Sequence, residues 1–114
     1  MNEDVLGEMH GKVPGILASA VVSRDGVLIA SRVPEDASPD TFAIMLATTM
    51  GAAATAHNEI GYKPPGRVIS TGPDSTMIIE AVNQNIFLAV VVKAEVPVGT
   101  IHPQIKAAVD ALQR

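Results

Sequence analysis

The chain has 114 residues, a formal net charge of −4, no cysteine, 47% apolar residues, and Phe42, Tyr62 and Phe87 as its only aromatics. That length suits one domain over residues 1–114, with a core of Val, Ile, Leu, Ala and Met. The negative charge argues against nucleic acid or an anionic membrane surface as partner, three scattered aromatics offer no stacking platform, and the lack of cysteine excludes disulfides and thiolate chemistry.

Asn2 to Lys12 reads as a short helix, with Asn2 as cap and Glu3 and Asp4 in the first turn. Gly7 weakens it, so it needs a surface to lie on. The acidic start also lacks the apolar core of a signal peptide, and a cytoplasmic location is the expectation. Ile16 to Ser23 is a β-branched, mostly apolar run, as in a strand covered on both faces. Asp25-Gly26 and the run Val27 to Arg32 follow, a pattern that predicts a hairpin with positive φ at Gly26.

From Thr41 to Ala56 there is no charged residue. Ser38 is placed to cap a helix there, Pro39 tolerates its first position, and Asp40 suits the positive end of its dipole. Gly61 stands where it would stop. On a helical wheel Ala43, Leu46, Met50, Ala53, Ala54 and His57 share one side. Thr41, Thr48, Thr55 and Glu59 share the other, with Ile44, Met45 and Ala52 beside them. A helix apolar nearly all round is buried nearly all round, so one face should cover this chain's sheet and the other should meet a partner. The uncharged run is too short, and too rich in Thr and Gly, for a membrane span.

Tyr62-Lys63-Pro64-Pro65-Gly66 is a stiff connector. Three strands should follow: Arg67 to Thr71, Thr76 to Val82 and Ile86 to Lys93, with turns at Gly72-Pro73-Asp74-Ser75 and Asn83-Gln84-Asn85. A last helix includes Ile105 to Gln113, with Pro103 expected in its first turn. The fold class is α+β: a five-stranded antiparallel sheet between one long helix and two terminal helices.

This order resembles the roadblock / dynein light chain family. The resemblance rests on Ala20-Val21-Val22-Ser23-Arg24-Asp25-Gly26-Val27-Leu28-Ile29-Ala30, on Phe42-Ala43 to Leu46-Ala47 through Gly51-Ala52-Ala53, and on the closing Pro97-Val98-Gly99. It covers about Leu6 to Leu112 and implies the roadblock sandwich, similar to that of profilin. It also implies a homodimer that joins edge to edge through the strand after the long helix. Prokaryotic members are associated with small Ras-like GTPases, and eukaryotic ones with scaffolds and motor complexes.

The residues themselves ask for such a partner. Arg67, Val68, Ile69, Ser70 and Thr71 would form an unprotected edge if the meander runs outward. Thr41, Met45, Thr48, Ala52 and Thr55 would line a seam between two long helices. Asp40, Ile44, Met45 and Glu59 would form a rim and surface for a further partner, with Met suited to adaptable contact.

Catalytic chemistry has little to stand on. His10, His57 and His102 are far apart in sequence, and His57 reads as a satisfied core histidine. Gly72 to Thr76 lacks a phosphate-loop signature, no serine sits in a nucleophile elbow, and Glu80 reads as facing solvent or a helix margin. No enzyme activity and no cofactor or metal is expected. The sequence supports a non-enzymatic homodimeric regulator or adaptor of a small Ras-like GTPase. A scaffold module without GTPase binding is the alternative, and a profilin-like sensor would need convergent polar groups that are missing.

Overall fold

The apolar β-branched runs pair into one sheet, and the helices cover it from both sides. The computed structural model describes residues 2–113. In chain order the elements are α1 (Asn2–Lys12), β1 (Ile16–Ser23), β2 (Leu28–Arg32), α2 (Pro39–Glu59), β3 (Arg67–Thr71), β4 (Ser75–Ala81), β5 (Ile86–Lys93) and α3 (Val98–Leu112). The strand order is β2-β1-β5-β4-β3, and each neighbouring pair is antiparallel. The three-strand meander runs outward, so β3 is an edge and β2 is the other.

Period-two alternation divides the strands between two cores. Val21, Ile78, Leu88, Val90 and Val92 pack with Leu6, Met9, Ile101 and Ile105 of the terminal helices. Ala20, Val22, Ile79, Phe87 and Ala89 point the other way, against Ala43, Leu46 and Met50 of α2. The run in β1 is mostly apolar because both of its faces are covered.

The β1–β2 turn is a three-residue loop, Arg24-Asp25-Gly26. The Ser23 N–H donates to the Val27 carbonyl at 2.9 Å, and the Gly26 N–H donates to the Ser23 carbonyl at 2.9 Å. Gly26 has φ +88°, as its place before Val27 requires. The β1–β2 register shifts between Val21 and Val22, which leaves Ile29 of β2 as the extra residue.

Four local expectations change. Asn2 is the first residue of α1 rather than a cap ahead of it, and β2 begins at Leu28, one residue after Val27. Pro103 stands in the second turn of α3, because the helix already begins at Val98. Its side chain is exposed, and its missing N–H withholds one bond from the Gly99 carbonyl. His57 is exposed, not a core residue, because the last two turns of α2 run beyond the buried contact that ends near Met50.

Candidate functional site

The start of α2 is fixed locally. The Ser38 hydroxyl accepts from the Thr41 N–H at 3.4 Å and donates to the Thr41 hydroxyl at 3.0 Å. Pro39 takes the first helical position, as its fixed φ favours. Ala43, Leu46 and Met50 then anchor the inner face. Thr41, Ile44, Met45, Thr48, Ala52, Thr55 and Glu59 are all exposed, as is Asp40. Ile44 and Met45 each keep 52% of their surface in solvent.

Two hydroxyls on this open surface are spent on the helix itself. Thr48 donates to the Ile44 carbonyl and Thr49 to the Met45 carbonyl, each at 2.8 Å. Neither hydroxyl needs solvent, so the surface is less polar than its threonines suggest.

The two flanks of α2 differ. The β1–β2 turn rests against one: a Cβ built on Gly26 would lie 3.5 Å from the Ile44 Cα and 3.6 Å from the Ala47 Cβ. The opposite flank carries Phe42, Met45, Thr49, Ala52 and Ala56, at alternating steps of three and four residues. That spacing is the one by which paired helices mesh. The seam expected from the sequence, through Thr41, Thr48 and Thr55, follows the most solvent-facing line of α2 instead and does not include Thr49 or Ala56. At its start this flank borders an apolar groove walled by Leu17, Val33, Ala37, Phe42, Met45 and Val91.

Beyond α2, Gly61 takes φ +85° and the Tyr62 N–H turns back to the His57 carbonyl at 2.9 Å. Ile60 and Tyr62 are left 70% and 68% exposed.

β3 pairs on one side only, with β4, in unbroken register from Arg67↔Glu80 to Thr71↔Thr76. Val68 is half-buried against the α2-side core, while Ile69, Ser70 and Thr71 are exposed. Ile69 sits beside Ile78 with 45% of its surface open. Arg67 turns to the terminal-helix side. Its Nε binds the Glu80 carboxylate, and its Nη2 donates to His102 Nδ1 on α3 at 2.7 Å. Glu80, expected to face solvent or a helix margin, stands at the margin of α3 in a partly buried ion pair that ties β3, β4 and α3 together.

A second polar cluster lies under α1. His10 Nε2 is 2.7 Å from the Oγ of Ser19, which is fully buried in β1. Burial, and then the nearby Arg32 guanidinium, hold the His10 pKa below its ordinary value of 6.5. Arg32 lies over Gly7, where an added Cβ would meet its Nη1 at 3.2 Å. Among the described residues no group of three or more His, Asp or Glu is arranged to hold a metal ion. No helix among them is long and apolar enough to cross a membrane.

Comparison with known proteins agrees with this architecture. The uncharacterised protein MJ0310 of Methanocaldococcus jannaschii is 30% identical over 99% of this chain and 97% of its own. The uncharacterised protein MJ0714 of the same organism is 28% identical over 99% and 94%. Among solved structures, Myxococcus xanthus MglB superposes with a TM-score of 0.90 at 19% identity, covering 97% of this chain and 90% of that one. A Roadblock/LC7 domain from Streptomyces avermitilis gives 0.90 at 14% identity, over 97% and 93%. Schizosaccharomyces pombe profilin gives 0.71 at 16% identity, over 98% and 96%. The model of the Roadblock/LC7 domain matches residues 1–92, and the chain belongs to that family.

Proposed function

We propose that this protein is a non-enzymatic homodimeric adaptor that binds a small Ras-like GTPase on the surface of its paired α2 helices. The observation that carries this reading is the outer face of α2: Ile44 and Met45 half in solvent on a helix uncharged from Thr41 to Ala56, beside an unpaired strand edge. An apolar helix face and an open edge in one place are hard to keep in water without partners. The β3 edge and the Phe42–Ala56 flank suit a second copy. The line of Ile44, Thr48 and Thr55 stays outward for another protein. The likeness of fold to MglB and the family's association with Ras-like GTPases supply the chemistry of that protein. Asp40 and Glu59 give the surface acidic ends that favour a partner with basic residues.

Titration calorimetry with the Ras-like GTPase of the same genome, loaded with GDP and then with a GTP analogue, tests this. Binding in at least one state is expected, weakened about tenfold or more by Ile44→Asp, since a charge would face an apolar contact. Glu59→Lys should act mainly on association rate. Met45 is a poorer probe, because it also borders the flank offered to the second copy. No binding in either state with an intact dimer would leave the chain as a scaffold module in a larger assembly.

A further inference from the structure

We propose that Tyr62 of one protomer fills the apolar groove at the start of α2 of the other. This rests on the homodimer reading above and adds to it a residue that each copy contributes to its partner. A two-fold axis that pairs β3 with its own copy in antiparallel fashion, continuing the sheet, stands perpendicular to that sheet. Such an axis reverses every direction in the plane, so the two α2 helices must also run antiparallel. The start of each then lies beside the end of the other.

Each end carries the half that the other end lacks. The start has the groove of Leu17, Val33, Ala37, Phe42, Met45 and Val91, an open recess without a charged group in its wall. The end has Tyr62, 68% exposed. It is held against the last turn by its N–H bond to His57 and stiffened from behind by Pro64-Pro65. Antiparallel meshing of the flank brings Met45 against Ala56 and Thr49 against Ala52 of the second copy. Continuing nearly two turns outward carries Tyr62 to the level of residues 38–41, the mouth of the groove. Charge agrees with that placement, since Lys63 arrives near Asp40, and neither makes a salt bridge among the described residues. A tyrosine suits such a place, with an apolar ring for the recess and a hydroxyl left at the wet rim.

Tyr62 is the only tyrosine and the chain has no tryptophan, so intrinsic emission reports this one side chain. The experiment is acrylamide quenching of that emission, with light scattering on the same samples. In the dimer the quenching slope should be several-fold lower than in the Ile69→Lys variant, where a charge on the β3 edge opposes pairing. Ala37→Glu places a carboxylate in the groove wall, away from β3 and from the meshing flank. It should restore quenching while circular dichroism shows the fold retained. Tyr62→Ala should raise the dimer dissociation constant by about tenfold or more, as loss of an aromatic anchor seated in a pocket does. A dimer whose tyrosine is quenched as fully as that of the monomeric variant overturns the proposal and leaves the homodimer standing. A wild-type chain that scatters as a monomer overturns both.

Discussion

Gly26 and Gly51 are both glycines near the α2 surface, yet they have opposite consequences. Gly26 holds φ +88° with the Ile44 Cα 3.5 Å from where its Cβ would stand. Gly26→Val should lower stability by about 1–2 kcal/mol or more, because a β-branched residue resists that conformation and meets helix backbone. Chemical denaturation would read it, and an unchanged midpoint would contradict the turn geometry. Gly51 stands mid-helix, and a Cβ there would meet nothing within 4 Å. Gly51→Ala should therefore stabilise by about 0.5–1 kcal/mol through helix propensity alone. A loss instead would mean that the position is covered in solution. His10 brings pH into the fold. Its pKa is depressed in the folded chain by burial and by Arg32, so the unfolded chain binds the proton more readily. Stability is then full above pH 6.5 and falls as pH drops below it, until the folded histidine also protonates. The melting temperature of the wild type should decline more steeply from about pH 7 to pH 5 than that of His10→Gln. Parallel declines would refute the role of His10.

Among the elements, the two sheet edges are protected unequally. β2 is five residues long, has a bulge in its pairing with β1, ends at Arg32, and runs into Val33-Pro34. These are devices that discourage strand addition. β3 is equally short and starts at Arg67, but it has no bulge in its register with β4, no proline within it, and Ile69 open at its centre. That contrast is the physical reason for preferring β3 as the pairing edge. Ala52→Glu, on the α2 flank facing that side, should convert the dimer to monomer at micromolar concentration, because an unpaired carboxylate between helices costs several kcal/mol or so. Light scattering of the wild type at twice the chain mass, and of the variant at one, is the expected pair of results. An unshifted mass for Ala52→Glu would move the seam to another flank. The sequence made most elements legible because their signals are local: Ser38-Pro39 at the start of α2, Asp25-Gly26 at the turn, and apolar runs between Gly and Pro. It misjudged Pro103 because the start of α3 carries no capping side chain to mark it, only Pro97.

For the molecule as a whole, the order of strands followed from sequence patterns and family resemblance, but the direction in which each helix face looks did not. A wheel drawn on α2 separates inner from outer, and correctly sets Ala43, Leu46 and Met50 inward. It does not tell the Gly26 flank from the Val91 flank, since that depends on which strands lie to either side. The flank of Thr49 and Ala56 cannot be told apart on the wheel for that reason, and His57 is exposed because the buried contact of α2 ends near Met50. The Arg67–Glu80–His102 tie was equally illegible, joining residues on β3, β4 and α3 that meet only through strand register and the docking of α3. The proposed GTPase surface depends on the same separation, because it uses the outward line of α2 after one flank is given to the turn and the other to a second copy.

The open β3 edge has a consequence for cells that hold several such chains, as M. jannaschii does with relatives 28% and 30% identical to this one. Main-chain N–H and C=O groups are the same whatever the side chains, so an edge alone would let paralogues join one another indiscriminately. Fidelity would have to come from the helix flank and the ring that caps it, where a mismatched neighbour would leave a recess unfilled or a bulky side chain without room. Exchanging the segment 37–62 between two paralogues would then redirect which chain each one chooses, while exchanging β3 would not.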